Sequence, residues 1–250
     1  MIRWLLPVLI AAPLHAQEGA AIVVLGEFHD SAEAHAEQVR LIERIAPSAL
    51  VFEMLSPEQV SAAEGIDRTD EKALADAFLW DDTGWPDFTL YAPVFAASEG
   101  RPLYGAMVPR DLVVAAAAGD PAALDGYDLP TLTEDERALL RQEQADAHCG
   151  ALPEEMLPGM VDAQRLRDWW FADVALAALA RHGPPVVVIA GTGHARTDVG
   201  IPAMIAHADP GVAVWSLGQI EGEVPPDAPF DAVRALPFVD RPDPCATFRR

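Results

Sequence analysis

Basic residues are scarce in this chain of 250 residues. Lys and Arg together number 17, against 39 Asp and Glu, and the formal net charge at pH 7 is −22. A strong excess of negative charge repels the phosphates of nucleic acids and of anionic lipid headgroups. The composition therefore excludes nucleic acids and anionic membrane surfaces as partners.

Several sequence motifs of catalysis and cofactor binding are absent. Without Gly-x-Ser-x-Gly there is no serine nucleophile elbow, and without Gly-x-x-x-x-Gly-Lys there is no phosphate loop. The absence of Cys-x-x-Cys-His excludes covalently attached c-type haem. Non-covalent haem stays open, because it needs only an axial His, Tyr or Met, an apolar surface and a cation near the propionates.

The one early apolar stretch, within residues 1–17, is too short to cross a membrane. An Arg precedes it and the small residue Ala16 follows it, a pattern typical of a secretory signal peptide cleaved after Ala16. The alternative is a buried N-terminal helix. No Cys stands near the cleavage point, so we expect a periplasmic or secreted protein without a lipid anchor or stable membrane insertion. Cleavage would remove Arg3 and leave the mature protein with a net charge of about −23.

Cysteine is also rare, with only Cys149 and Cys245 present. In an oxidising compartment these two would most simply form a disulfide. Such a bond would tie the Pro-rich C-terminal tail to the body of the protein. Two buried thiols are the alternative.

Short apolar runs alternate with helical patterns along the rest of the chain. Strands are predicted at residues 21–25, 49–52, 102–107, 186–190 and 212–217. Strands that alternate with helices favour an α/β fold, with a mostly parallel central sheet and helices on both faces. Residues 57–99 and 133–182 are expected to be helical insertions. We predict a single domain over residues 18–250, with an irregular tail from about residue 221.

Two of the predicted strands end in the same Gly-x-x-His pattern, which places His29 and His194 in the loops that follow them. A glycine at that point would let the backbone turn sharply out of the sheet. The carboxyl ends of parallel strands form the edge at which open α/β sheets bind ligands. Glu27 precedes the first His and Glu53 follows the second strand. We therefore predict that these four residues share one site.

Two chemistries suit such a site. His29, Glu53 and His194 could bind a divalent metal ion such as zinc or manganese. Alternatively, Glu27 and these three residues could be catalytic without a metal, with a carboxylate or His acting as general base on water. In the structural alternative, Glu27 only accepts hydrogen bonds from loop amides.

Three further residues are candidates for substrate or cofactor binding. Arg110 and Arg196 follow the third and fourth predicted strands and could hold an anionic group. His35, on the first helix, could reach the same edge. Glu53 could alternatively serve only as the ion-pair partner of either arginine.

Six segments of the chain, in order, resemble the ChaN-like haem-binding uptake family. The resemblance covers roughly residues 20–220, and the last segment is the most specific. The segments are Leu-Gly-Glu-Phe-His29-Asp with His35 and Gln38, Val-Phe-Glu53-Met with Gln59, Val-Pro-Arg110, Cys149-Gly, Met-Val-Asp-Ala-Gln164-Arg-Leu-Arg167-Asp168, and Ala-Gly-Thr-Gly-His194-Ala-Arg196-Thr-Asp198-Val-Gly-Ile-Pro202.

The resemblance implies an α/β fold and non-covalent haem binding linked to iron uptake, with haem held between the two subunits of a homodimer. For the wider group of Tiki proteases, TraB-type proteins and erythromycin esterases, it implies a metal-dependent or carboxylate-assisted hydrolytic site acting on a small-molecule ester or a peptide. The axial haem ligand stays open among Tyr91, Tyr104 and the histidines. In a third alternative, the site only stabilises the fold. Carried over to this sequence, the family site comprises Glu27, His29, Glu53, Arg110, His194 and Arg196.

Overall fold

A six-stranded parallel sheet forms the centre of the protein in a computed structural model that describes residue 17 and residues 19–247. Apart from Gln17, the predicted signal peptide lies outside these described residues. The sheet order is β3-β2-β4-β1-β5-β6. The strands are β1 (Ile22–Glu27), β2 (Ala49–Phe52), β3 (Leu103–Gly105), β4 (Val186–Gly191), β5 (Val214–Glu221) and β6 (Ala232–Leu236).

Helices connect the strands and pack on both faces of the sheet. They are α1 (Ala32–Ile45), α2 (Pro57–Ala62), α3 (Glu71–Ala77), α4 (Phe88–Ala97), α5 (Arg110–Ala117), α6 (Glu134–Ala147), α7 (Leu157–His182) and α8 (Ile201–Ala208). Within the described part of the chain, no helix combines the length and the apolar character that a membrane span requires.

The hydrophobic core has two halves, one on each side of the sheet. Along β1, Ile22 and Val24 belong to the half that contains residues of α7 and α8, whereas Val23 and Leu25 belong to the half that contains residues of α1 and α4. Alternate residues of a strand point to opposite faces, so a sheet covered on both sides has continuously apolar strands. The predicted α/β fold, with its mostly parallel sheet and helices on both faces, is confirmed.

The C-terminal tail is more ordered than its sequence indicates. Residues beyond about 221 were expected to be irregular, but β6 lies within them and pairs in parallel with β5. Prolines and acidic residues surround β6, and only Leu236 of the strand is fully buried. An edge strand of this kind gains its stability from pairing with its neighbour, which local sequence does not report.

Cys149 and Cys245 form the expected disulfide, with 5.5 Å between their Cα atoms. Cys149 follows α6, and Cys245 lies in a short helical turn at residues 244–247. The bond therefore joins the end of α6 to the C-terminal tail.

Candidate functional site

The carboxyl ends of three adjacent strands bring the two Gly-x-x-His loops together. β4 lies between β1 and β2, and Glu27 of β1 is in register with Gly191 of β4. The loops after these strands therefore leave the sheet side by side. We call this edge the histidine rim and define it by five residues. They are Glu27, His29, Glu53, Asp168 and His194.

The first glycine of each motif, Gly26 or Gly191, allows neighbouring atoms to pack closely against the backbone. The sequence predicted that they turn the chain out of the sheet, but both are the last or next-to-last residue of a strand. A Cβ atom on Gly26 would lie 2.8 Å from the carbonyl oxygen of Leu217, and one on Gly191 would lie 3.2 Å from Nε2 of His29. The predicted reason for these glycines was wrong: they allow β1, β5 and the His29 ring to approach closely.

Glu27 is a buried carboxylate that orients His29. One carboxylate oxygen lies 2.9 Å from Nδ1 of His29 and accepts a 2.8 Å hydrogen bond from the Tyr91 hydroxyl. The other accepts a 2.7 Å hydrogen bond from the side-chain amide of Gln38. Burial opposes ionisation, but contacts from His29 and His35 outweigh it and lower the pKa of Glu27 to about 2. Because Glu27 is ionised, Nδ1 of His29 carries the proton.

His29 is the partly exposed imidazole of the rim. Its side chain is 37% exposed, and the edge of its ring meets Trp85 with 4.7 Å between ring centroids. Burial alone would lower the pKa of His29, but Glu27 and Glu53 raise it above its ordinary value. Among the described residues, no partner is hydrogen-bonded to Nε2, the nitrogen that faces Gly191.

His194 is buried between two carboxylates. Its Nδ1 lies 2.6 Å from Oδ1 of Asp168, and its Nε2 lies 3.4 Å from Oε1 of Glu53. Burial would lower the pKa of His194, but the charges of Glu53 and Asp168 raise it to about 10. His194 is therefore an imidazolium at neutral pH. The ring edge packs on Phe171, which fixes its orientation.

Glu53 lies between the two imidazoles. One oxygen faces His194, and the other accepts a 2.7 Å hydrogen bond from the backbone amide of Gly191, beside the His29 ring. Burial would raise the pKa of Glu53, but His194 and His29 lower it. The partners of Glu53 within the described structure include no arginine, so the alternative of an ion pair with Arg110 or Arg196 is wrong.

The other predicted site residues are not on the surface of the rim. His35 and Tyr91 are buried beneath Glu27, where their rings contact each other with 4.3 Å between centroids. Arg196 pairs with Asp198 and Glu143. Arg110 is exposed at the first residue of α5, and none of the described contacts of the rim involves it. The predicted binding roles of these four residues stay predictions.

Sequence reasoning from the strand ends did not find Asp168, the closest partner of His194. Asp168 lies on α7, four residues after Gln164, whose side-chain amide is 3.1 Å from Nδ1 of the same ring. Residues four apart share one face of a helix, so the pair was a detectable signal. Burial raises the pKa of Asp168, and the charge of His194 opposes that increase.

The predicted divalent metal site is not supported. Among the described residues, no group of three or more His, Cys, Asp or Glu side chains is arranged to hold a metal ion. His29, Glu53 and His194 do lie together, but both nitrogens of His194 face carboxylates, which lie 2.6 Å and 3.4 Å away. A histidine that binds a metal must present a ring nitrogen to the ion, and here each nitrogen is already directed at a carboxylate oxygen.

Comparison with known proteins identifies one family and several solved structures that resemble this chain. The family model described as "Haem-binding uptake, Tiki superfamily, ChaN" matches residues 14–205. The structure described as "Cofacial heme binding to ChaN of Campylobacter jejuni" is similar in fold, with a TM-score of 0.67, 22% identity and 86% of each chain covered. No curated protein matches the sequence.

Two other solved structures are more distant. A mutant of the erythromycin esterase EreC in its open conformation has a TM-score of 0.47 and 14% identity, over 86% of this chain and 75% of the other. The type III effector HopBA1 has a TM-score of 0.46 and 12% identity, over 87% and 88%.

Proposed function

Because the chain belongs to the ChaN family of haem-binding uptake proteins in the Tiki superfamily, we propose that it binds haem non-covalently at the histidine rim. The observation that carries this proposal is the family match itself, which spans residues 14–205 and so includes every residue of the rim. Haem is the cargo of an uptake protein, so the protein's task is to bind and release it.

The rim offers one suitable axial ligand. A histidine that ligates a metal usually donates its second ring N–H to a carboxylate, as His29 does to Glu27. Tyr91 is a poor ligand, because it is buried, its hydroxyl donates to Glu27, and burial raises its pKa. The hydroxyl of Tyr104 is hydrogen-bonded to His182, 2.7 Å away. We therefore assign the axial position to Nε2 of His29.

Exposed apolar side chains in the loop of His29 and in the C-terminal tail support the same proposal. Phe28 is 36% exposed, and Phe238 and Val239 in the tail are 76% and 40% exposed. Arg241, whose guanidinium lies 5.9 Å from the centre of the Phe28 ring, places the tail next to the rim. An apolar macrocycle gains free energy by covering such side chains.

Three further features of the function are part of the proposal. The signal-like pattern of residues 1–17 supports a periplasmic or secreted location, which cell fractionation would test. Family membership supports a link to iron uptake. The resemblance to the ChaN family also implies a homodimer that holds haem between its subunits, which the mass in solution with and without haem would test.

Haem titration of the purified protein is the direct test. We expect a saturable shift of the Soret band, and an affinity about 100-fold lower for His29→Ala, because that variant removes the iron ligand. His207→Ala is the control, since His207 is exposed in α8 and pairs only loosely with Asp128, 3.3 Å away, and it should bind like the wild type. Absence of saturable binding by the wild type would contradict the proposed function.

One observation favours a hydrolase as the second candidate. Two imidazoles, each oriented by a carboxylate, flank the ionised Glu53. In this arrangement Glu53 would accept a proton from water, and the His194 imidazolium would donate one to the leaving group of an ester or peptide. This candidate requires no metal.

A panel of ester and peptide substrates would test this candidate. The Glu53→Gln variant should lose about 100-fold in rate, because Gln cannot accept the proton. Glu58→Gln, an exposed change in the first turn of α2, should retain full activity. A wild-type protein that is inert across the panel would eliminate the hydrolase.

A further inference from the structure

Each of the two histidine-bearing loops is held by an arginine outside the rim. In the loop of His29, Asp30 receives hydrogen bonds from Arg241, which also makes two 2.6 Å hydrogen bonds to Glu221. In the loop of His194, Arg196 binds Glu143 of α6. Bidentate pairs of Arg with carboxylates are the most geometrically specific ion pairs in proteins.

The disulfide joins the two arginine contacts. Glu143 lies in α6 and Cys149 follows the end of that helix, whereas Arg241 and Cys245 lie four residues apart in the tail. A continuous path therefore runs from the His194 loop through α6, across Cys149–Cys245, and along the tail to the His29 loop. We call α6 with its following residues to Cys149, together with residues 237–247, the belt.

The tail half of the belt has few anchors of its own. From residue 237 to residue 243 every residue is exposed except Arg241. Leu236, at the end of β6, is the last fully buried apolar side chain before this stretch. Burial thus contributes little to fixing these residues, so polar contacts, with those of Arg241 prominent among them, and the disulfide hold them in place.

We propose that the belt positions the two histidine loops, with Arg241 as a positioning residue and Cys149–Cys245 as the bond that couples the loops. Arg241 and Cys245 lie beyond residue 205, where the family match ends. Opening the disulfide frees the tail from α6 and loosens the loop of His29, and with it the rim. The part of the inference that concerns haem rests on the proposed function.

Opening the Cys149–Cys245 disulfide requires a dithiol reductant. A thiolate of the reductant attacks one sulfur, the S–S bond breaks, and the second thiol of the reductant then closes to a cyclic disulfide. Two electrons and two protons pass to the protein, which gains the free thiols of Cys149 and Cys245. Dithiothreitol supplies this chemistry in the experiment.

Hydrogen exchange followed by mass spectrometry tests the belt without haem. After reduction, and in a Cys149→Ser/Cys245→Ser variant, peptides covering residues 28–31 should exchange about tenfold faster, because local opening becomes easier. Peptides from β1 and β4 should keep their wild-type rates. Unchanged exchange at residues 28–31, or equal acceleration throughout the sheet, would overturn the proposal, since the second result would show only a loss of overall stability.

Single arginine variants separate positioning from fold stability. Arg241→Gln should accelerate exchange at residues 28–31, and Arg241→Lys should restore part of the protection, because a lysine keeps the charge but not the bidentate geometry. Arg101→Gln is the matched control. Within the described structure, its guanidinium donates hydrogen bonds to the backbone carbonyls of Ala97 and Glu99, and the variant should leave residues 28–31 unchanged. Equal effects of the Gln and Lys variants, or of the control, would count against Arg241.

Haem affinity supplies the functional readout. In the reduced protein and in Arg241→Gln, we expect haem to bind about tenfold more weakly than in the oxidised wild type, because the ligand loop is less preorganised. Faster exchange with unchanged haem affinity would refute the positioning role. If the wild type binds no haem, the proposed function fails, and the exchange experiment still decides whether the belt holds the loops.

Discussion

Replacing His194 by alanine is expected to lower the free energy of unfolding by about 3–5 kcal/mol at pH 7, because it leaves Asp168 and Glu53 as buried carboxylates without their cation. Both carboxylates lie within 3.4 Å of the imidazole, and its side chain is 10% exposed. Loss of one partner of a buried ion pair costs more than the pair contributes, because the remaining charge keeps its desolvation penalty. Urea unfolding of the wild type and the variant at pH 7 would measure the loss.

The pH dependence of stability gives a second signature of His194. Its pKa is raised from 6.5 to about 10 by folding, so its contribution is complete below pH 6.5 and disappears as the pH rises to about 10. His194→Ala should remove this alkaline decline. His207→Ala is the control, because His207 pairs with an Asp128 side chain that is 90% exposed, and it should change stability by less than about 0.5 kcal/mol. Equal losses in the two variants would contradict the buried network.

Glu27→Gln is expected to destabilise the fold by about 3 kcal/mol at pH 7, because a neutral amide replaces the charged acceptor of a buried cluster. Gln has nearly the same shape but presents an N–H₂ group to donors from His29, Gln38 and Tyr91. At least one donor then loses its partner in a site that excludes water. Urea unfolding at pH 7 measures this change, with the exposed Glu71→Gln as a control near zero.

Acid titration separates the charge of Glu27 from its packing. Folding lowers its pKa from 4.5 to about 2, so its stabilising contribution is complete above pH 4.5 and is lost as the pH falls toward 2. The Glu27→Gln variant should lack this part of the acid transition. The contributions of Glu27 and His194 together predict that the wild type is most stable between about pH 4.5 and 6.5. A variant with the same acid profile as the wild type would show that Glu27 is not ionised.

The two Gly-x-x-His motifs allowed the rim to be anticipated because strand polarity fixes where a loop leaves a parallel sheet. Once β1 and β4 are adjacent and parallel, the register of Glu27 with Gly191 makes the two loops neighbours. The chemistry within the rim was harder to anticipate. The metal hypothesis overlooked Asp168, which approaches from α7 to within 2.6 Å of Nδ1 of His194.

For Arg196 too, the sequence predicted where the residue lies but not which groups it contacts. Its place after β4 follows from the sequence, and an arginine there suggested an anion-binding group. In the fold, its guanidinium is paired with Asp198 of its own loop and with Glu143, which lies 53 residues earlier in α6. Arg241 was not anticipated at all, because the tail was expected to be irregular.

The sequence alone determined the parallel sheet, the strand ends that carry His29 and His194, and the availability of one cysteine pair. Apolar periodicity and breaks in it are local signals, so they specify elements and the direction in which each ends. Only the tertiary structure decided that β6 joins the sheet, that Asp168 lies beside His194, and that Arg241 holds the loop of His29. These contacts join residues far apart in the chain, and burial within the assembled core, which no local pattern encodes, sets the charge of the groups at the rim.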